Sequence, residues 1–194
     1  MSNFDECAKA INDKIAASEY ARFGSFTEEA CGIILATPQK HPVLASGING
    51  AITPVMLCVT LLNESVFNLR QTPNTNGRPD DPTHWDMGPS QLNVKWTRAG
   101  VAKNLIPAFD ERAVFGSLAD PSAPFDGDPA ANIYVCALTL ASIHTTNWHA
   151  LTFQSPEEMR CVRYTGPGAQ PFRQASYREY APLFSVFFEC YQPD

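Results

Sequence analysis

The sequence predicts a mainly α-helical fold, and three observations support this prediction. The chain has 194 residues, of which 44% are hydrophobic and 18% are charged, and this suits one globular domain with a sizeable core. Most of the chain divides into apolar segments that begin at cap residues and end at stop signals. Residues 68–90 instead combine Pro, Asn and Asp without periodicity. We therefore expect a mainly α (α+β) domain over residues 1–194, with one long loop or small β-hairpin.

Two helices are predicted in the N-terminal part of the chain, within residues 5–37. The first begins with Asp5 as its cap and ends near Gly24. The second follows Thr27, which is a favourable cap, and has two glutamates in its first turn. The next stretch, "HPVLASGING" over residues 41–50, predicts a loop.

A central helix is predicted in "TPVMLCVTLLNESVF", with Thr53 as cap and Pro54 at the first helical position. Its apolar residues lie almost all round, which is typical of a buried helix. The helix ends at a lone carboxyl group, Glu64. Desolvation and the negative end of the helix dipole both raise the pKa of a carboxyl group there. A glutamate that stays protonated near neutrality suits a general acid, whereas a glutamate at a frayed helix end would only be solvated.

The C-terminal half of the chain is also predicted to be helical. The helices are expected over residues 94–104, 129–143, 155–164 and 172–191. "SPEE" at the start of the third combines Ser155 as cap, a proline at the first position and a glutamate at the third. Pro182 is expected to kink or divide the last helix, and residues 107–128 are expected to be mostly loop.

The charge pattern excludes two kinds of partner. The net charge is −6 at pH 7 and the basic residues are scattered, so neither nucleic acid nor an anionic membrane surface is an expected partner. The longest apolar run, "VMLCVTLL", is too short to span a bilayer. The acidic N-terminus does not resemble a secretory signal, which leaves a cytosolic protein, export by another route, or a trimmed mature chain.

The six cysteines include no CxxC pair, and this argues against a zinc site or a thioredoxin-like motif. Their even number allows up to three disulfides, which would indicate an oxidising destination. The alternative is reduced, buried thiols, and Cys58 and Cys136 lie in apolar segments that fit it.

Four short motifs follow one another between residues 64 and 168. They are Glu64-Ser65 at the helix end, "DMGPSQLN" from Asp86 to Asn93, Asn132-Ile133 at the start of a helix, and "YTGPG" from Tyr164. In this order they resemble the motifs of lysozyme-like muramidases, above all the soluble lytic transglycosylases and the goose-type lysozymes. The resemblance covers residues 64–168, so the motif-bearing part is about 51–170, and the N-terminal helices would be an extension. It implies a lysozyme-like fold, with a cleft between a central buried helix and a hairpin lobe.

The resemblance implies that Glu64 protonates the glycosidic oxygen of a β-1,4-linked amino sugar. Asp86 would be the second carboxylate, although an aspartate before Met-Gly can also stabilise a turn. Asp80 and Asp81 are further candidates, within a proline-rich turn. No cofactor and no metal are implied, and His84 with Asp86 would provide too few ligands for a metal site.

Substrate-binding roles are expected for polar and aromatic side chains in and around these motifs. These residues are Ser65, Trp85, Gln91, Asn93, Asn132, Tyr164 and Thr165. Neutral donors and acceptors suit saccharide recognition, but Asn132 could instead cap a helix and Tyr164 could pack in the core. Trp85 could stack on a pyranose ring, and so could Trp96 and Trp148, although packing is the expected role of these two.

Several positions depart from the family's pattern. The loop between Glu64 and Gly88 is longer than in soluble lytic transglycosylases, Pro89-Ser90 follows the glycine, and Thr165 stands where an asparagine is usual. These departures leave open whether a hydrolase or an anhydro-sugar-forming transglycosylase is present.

The predicted function is cleavage of β-1,4-glycosidic bonds in peptidoglycan glycan strands, at the cell wall or in the periplasm. The partner would be peptidoglycan or a related amino-sugar polysaccharide, and an inhibitor or immunity protein could be a further one. Two alternatives remain at this point. One is a chitinase or chitosanase on the same fold, and the other is a non-catalytic module that binds a glycan or a protein.

Overall fold

A computed structural model describes residues 3–46, 51–143, 151–165 and 167–193 of the chain. Within these ranges the protein is mainly helical, as the sequence predicts. The α-helices are α1 (Phe4–Ala16), α2 (Glu28–Ala36), α3 (Pro42–Ser46), α4 (Pro54–Ser65), α5 (Val94–Ala102), α6 (Glu111–Phe115), α7 (Pro129–Ser142), α8 (Pro156–Arg163) and α9 (Gln170–Cys190). Short 3-10 helices cover Glu19–Arg22, Thr37–Lys40, Pro82–His84 and Pro167–Ala169. None of the described helices combines the length and the apolar character needed to cross a membrane.

Helix α4 lies at the centre of the core. Its cap is the predicted Thr53, whose side chain accepts a hydrogen bond from the backbone N–H of Met56 at 3.3 Å. Residues on all sides of α4 are buried, which agrees with the absence of a polar face in its sequence. Helices α2, α8 and α9 pack against it, so the end of α4 is fixed from several directions.

The two ends of the chain meet at α1 and α9. A disulfide joins Cys7 in α1 to Cys190 at the end of α9. It closes a loop of nearly the whole chain, which by loop-closure entropy contributes about 5 kcal/mol to the free energy of unfolding. The other four cysteines are buried free thiols, so Cys58 and Cys136 are thiols as the sequence indicates.

The N-terminal part of the chain differs from the prediction in three places. The N-cap of α1 is Asn3 rather than Asp5, and its side chain makes no capping hydrogen bond. Helix α1 ends well before Gly24, which has a different role: a Cβ atom there would lie 2.3 Å from the carbonyl oxygen of Val66. Glycine therefore lets this segment approach the end of α4. Residues 42–46, expected as loop, form α3.

The C-terminal half adds one helix to a stretch that is otherwise mostly loop, and the last helix is not divided. Residues 111–115 form α6 inside the expected loop, because the Asp110 side chain accepts hydrogen bonds from two backbone N–H groups of its first turn. Helix α9 runs unbroken through Pro182. Its neighbours Ala181 and Phe184 are buried, and we infer that this packing offsets the hydrogen bond that the proline cannot donate.

A small β-hairpin follows the long loop. Strands β1 (Asp86–Met87) and β2 (Leu92–Asn93) pair antiparallel, with Asp86 opposite Asn93. Between the strands, Gly88 and Gln91 have positive φ angles of 70° and 46°. A Cβ atom on Gly88 would lie 2.6 Å from Nδ2 of Asn132, so only glycine fits this turn against α7.

Candidate active site

A cleft of about 700 Å³ lies between the end of α4, the hairpin and α5. Six of the predicted site residues line it: Glu64, Asp86, Gln91, Asn93, Tyr164 and Thr165. Ser65, Trp85 and Asn132 do not. Asn76, His84, Trp96 and Lys103 line the cleft without having been predicted to do so. The cleft therefore brings together two carboxyl groups, several neutral polar groups and one indole ring.

Glu64 lies in the last turn of α4, and its side chain is only 14% exposed. Helix α4 ends directly after Ser65, because Val66 and Phe67 have positive φ angles of 51° and 60°. Burial raises the pKa of Glu64 from 4.5 to about 7, and the negative charge of Asp86 acts in the same direction. This is the direction that the sequence predicts for a carboxyl group at the end of an apolar helix.

Arg173 in α9 opposes that rise in the pKa of Glu64. Its Nη2 atom lies 3.0 Å from Oε1 of Glu64, and its side chain is 13% exposed. Sequence reasoning missed this residue, because it lies beyond the four motifs in a helix with no motif of its own. Only its place on α9, which packs against α4, brings it to the site.

Asp86 has two neutral hydrogen-bond donors. Nδ2 of Asn93 donates to its Oδ1 at 2.8 Å, and Nδ2 of Asn76 donates to its Oδ2 at 2.9 Å. The same two amides also donate to the carbonyl oxygen of His84. Burial raises the pKa of Asp86, and the two amide donors oppose that rise. The carboxyl group is therefore fixed in orientation by neutral groups.

Asn93 connects the second carboxyl group to the wall of the cleft. Its Oδ1 accepts a hydrogen bond from the backbone N–H of Trp96 at 3.1 Å, so it is the N-cap of α5. Its Nδ2 donates to Asp86 at the same time. Part of its predicted role is thus structural, although its side chain also lines the cleft.

The two tryptophans near the hairpin do not lie where the sequence predicts: the one expected at the cleft is buried, and the one expected to pack is exposed. Trp85 is only 1% exposed, and its Nε1 donates to the carbonyl oxygen of Arg78 at 2.9 Å. Successive side chains of an extended backbone point to opposite sides, so Trp85 faces the core because Asp86 faces the cleft. Trp96, expected to pack, is 69% exposed and lines the cleft.

Asn132 is fully buried, which corrects its predicted contact with the substrate. Its Nδ2 donates to the carbonyl oxygens of Met87 and Val114 at 3.0 and 2.9 Å, and its Oδ1 accepts from the N–H of Ser90 at 3.0 Å. All of its hydrogen-bonding groups are thus directed at the protein. Asn132 fixes the hairpin against α6 and α7.

Two further predicted residues have clear structural partners. Ser65 is 3% exposed, and its Oγ donates to the carbonyl oxygen of Leu61 at 3.4 Å. Its position next to Glu64 on the helix turns it toward the core, so it does not reach the cleft.

Tyr164 lines the cleft and donates its hydroxyl to the carbonyl oxygen of Ser90 at 3.0 Å. Burial raises the pKa of Tyr164 well above its ordinary value, so this hydroxyl stays protonated.

Asp81 stabilises a turn of the long loop. Oδ2 of Asp81 accepts from Nδ1 of His84 at 2.7 Å, and its Oδ1 accepts from the N–H of Thr83. Asp80 is exposed, and neither Asp80 nor Asp81 lines the cleft. In the part of the chain that the structure describes, no three His, Cys, Asp or Glu side chains come together as a metal site would require.

No protein-family model, curated protein or solved structure matches the chain. The chemistry of the cleft therefore carries the functional assignment. A glutamic acid whose pKa is raised to about 7, a second carboxyl group and several amides in one cleft can donate a proton to a leaving group and stabilise the positive charge that develops.

Proposed function

We propose that this protein has a lysozyme-like fold and cleaves β-1,4-glycosidic bonds in the glycan strands of peptidoglycan, with Glu64 as general acid. The observation that carries the proposal is the buried carboxyl group of Glu64 at the edge of the cleft, with a pKa of about 7. A general acid works best when its pKa lies near the operating pH. At neutral pH about half of the molecules then carry the proton that the glycosidic oxygen must receive.

Asp86 is proposed as the second carboxyl group of the reaction. It lines the same cleft, and Asn76 and Asn93 fix its orientation. Such a carboxylate attacks the anomeric carbon in retaining glycosidases and activates water in inverting ones. In lytic transglycosylases the 6-hydroxyl of the sugar closes an anhydro ring instead. Proton donation by Glu64 is common to all three routes.

The walls of the cleft offer groups that suit an amino sugar. Gln91 and Thr165 provide neutral donors and acceptors for hydroxyl and N-acetyl groups, and Oδ1 of Asn93 provides a further acceptor. The exposed indole of Trp96 provides an apolar face on which a pyranose ring can stack. The volume of about 700 Å³ lies in the usual range for ligand sites.

One basic side chain of the cleft can contact a carboxylate of peptidoglycan. Lys103 is the one lysine or arginine among the described residues that line the cleft. Peptidoglycan strands carry carboxylates on their lactyl and peptide groups, whereas chitin is uncharged. The Lys103 ammonium group can pair with one of these carboxylates at short range, whereas the net charge of −6 repels an anionic polymer at long range.

The test is the Glu64→Gln variant, assayed by release of soluble fragments from purified cell walls. We expect cleavage to fall by about 10² to 10⁴, the usual contribution of a general acid. The fold should persist, because the glutamine carbonyl can still accept a hydrogen bond from Arg173. Glu189→Gln, at an exposed position, is the control and should keep full activity. A Glu64→Gln variant as active as its parent would overturn the assignment.

Mass spectrometry of the digest separates the two chemistries, since hydrolysis leaves a reducing end and transglycosylation leaves a 1,6-anhydro end. Chitin oligomers, assayed in parallel, test the substrate class. Faster cleavage of chitin than of cell walls would contradict the assignment to peptidoglycan. Oligosaccharide binding without any turnover would favour a non-catalytic module.

A further inference from the structure

Glu64 and Arg173 form an ion pair that is largely enclosed by protein. The two charged groups lie 3.0 Å apart, with side chains 14% and 13% exposed. The Nε and Nη1 atoms of Arg173 are buried and have no hydrogen-bond partner among the described residues. The guanidinium group therefore depends on Glu64 for its electrostatic compensation within the described part of the chain.

Titratable groups from four elements surround Glu64. Arg173 approaches from α9 and Asp86 from β1. Tyr164, directly after α8, and Cys136, in α7, complete the set. Burial raises the pKa of Cys136 to about 12 and that of Tyr164 well above its ordinary value, so both are neutral at physiological pH. Among the described residues, the charges that act on Glu64 are thus one cation and one carboxylate.

We propose that Arg173 is a positioning residue for the cleavage reaction, which confines the acidic proton of Glu64 to Oε2 and limits how tightly Glu64 binds that proton. This inference rests on the proposed function of the cleft. It adds a residue of α9 to a site that the sequence motifs place between α4 and the hairpin.

The confinement of the proton follows from the hydrogen-bonding chemistry of the pair. A guanidinium group has donors and no acceptor, so the oxygen that faces Arg173 must accept. Nη2 of Arg173 faces Oε1 of Glu64. When Glu64 is protonated, its proton therefore sits on Oε2. That oxygen is left for the glycosidic oxygen of the substrate.

The limit on proton affinity follows from the opposing effects at the site. Burial and the negative charge of Asp86 both raise the pKa of Glu64. Without a cation the carboxyl group would bind its proton too tightly to donate it efficiently. Arg173 lowers the pKa, because protonation of Glu64 would leave a buried guanidinium without its anion. The balance leaves the pKa at about 7.

The experiment compares Arg173→Gln and Arg173→Lys with the parent protein. The Glu64 carboxyl group is titrated by carbon-13 NMR, with its signal assigned by its loss in Glu64→Gln, and kcat/KM is measured across the same pH range. Arg173→Gln should shift the Glu64 midpoint and the alkaline limb of the pH profile upward together, by about one pH unit or more. Arg173→Lys should keep the midpoint near the parental value and retain more of kcat than Arg173→Gln, because an ammonium group, like a guanidinium group, donates hydrogen bonds and cannot accept one.

The matched control is Arg112→Gln, which removes the same charge from an exposed ion pair with Asp126. It should change neither the midpoint nor the pH profile. An unchanged Glu64 midpoint in folded Arg173→Gln would overturn the proposed effect on proton affinity. An Arg173→Lys variant that loses as much kcat as Arg173→Gln would overturn the proposed orientation of the proton.

A measurement on the parent protein covers the case in which Arg173→Gln does not fold. The nitrogen-15 signal of Arg173 Nε should move with the same midpoint as the Glu64 carboxyl group, and a signal that stays fixed would overturn the coupling. The coupling and the proposed function can also fail separately. Coupled titration without glycan cleavage would refute the function, whereas cleavage without coupling would refute only the role of Arg173.

Discussion

The two carboxyl groups of the cleft are buried among different partners. Glu64, at the end of an apolar helix, faces a guanidinium group from α9. Asp86, in the hairpin, accepts from the amides of Asn76 and Asn93, which are close to it in sequence. Burial raises both pKa values, and a different kind of group opposes the rise in each case.

In the proposed reaction, this difference would divide the chemistry between the two groups. A pKa of about 7 leaves Glu64 able to donate a proton near neutrality. Two amide donors favour the ionised form of Asp86, which suits a group that must face developing positive charge. Environments that differ in this way are how a glycosidase assigns acid and anion roles to two similar side chains.

The largest expected effect comes from Asn132→Ala, which disturbs the hairpin with Asp86. It would leave the buried N–H of Ser90 and the carbonyls of Met87 and Val114 without their partner. We expect the free energy of unfolding to fall by about 3–5 kcal/mol, since each such group costs about 1–3 kcal/mol. Urea denaturation measures the free energy of unfolding. The control is Gln192→Ala, at an exposed position, which should change this free energy by less than about 0.5 kcal/mol. Unchanged stability with weaker oligosaccharide binding would instead place Asn132 at the substrate.

The second prediction concerns the pH dependence of stability at Glu64. Its pKa is raised from 4.5 to about 7 on folding, so the folded state binds the proton more tightly than the unfolded state. The stabilisation from protonation is complete below about pH 4.5 and is lost as the pH rises to about 7. The parent should therefore lose about 3 kcal/mol of its free energy of unfolding between these pH values, whereas Glu64→Gln should not, because glutamine does not titrate. The stability of the variant relative to the parent should rise by that amount across this window. Denaturation at several pH values measures it, and a constant difference would contradict the raised pKa.

The third prediction tests the amide partners of Asp86. Asn76→Gly removes one donor, and glycine tolerates the positive φ of 51° at this position. The pKa of Asp86 should rise further, because one of the two hydrogen bonds that oppose the effect of burial is lost. Carbon-13 NMR of the aspartate carboxyl groups measures the shift, with the Glu64 midpoint as internal reference. If the Asp86 midpoint does not move, the amides do not control its ionisation.

The smallest expected effect is that of Trp96→Ala on ligand binding. Because this indole is 69% exposed, its removal should leave the unfolding temperature unchanged. It should weaken the binding of glycan oligomers by about 1 kcal/mol, as measured by calorimetry. Trp85→Ala is the contrasting variant, since loss of a buried tryptophan costs about 3–5 kcal/mol of stability. Unchanged oligomer affinity in Trp96→Ala would exclude stacking on this ring.

Local sequence signals were sufficient for the helical parts of the site. Thr53, Pro54 and the continuous apolar run predict α4 and place Glu64 at its end, because capping and burial of one helix are decided by neighbouring residues. The glycine and asparagine positions around "DMGPSQLN" likewise indicated a turn beside Asp86. The sequence pattern did not show that Trp85 is buried and Trp96 exposed. Which side of the hairpin and of the following helix α5 faces the core depends on how they pack against the rest of the protein.

The sequence by itself thus determined the helical class, the central helix and the position of a lone carboxyl group at its end. Only the tertiary structure decided that Arg173 faces this group, that Cys7 pairs with Cys190, and that Asn132 supports the hairpin from within the core. Each of these contacts joins residues distant in the chain, and it forms because apolar faces of whole helices pack together. Apolar burial is non-directional, so the pattern of a single segment does not specify which distant side chain it will meet.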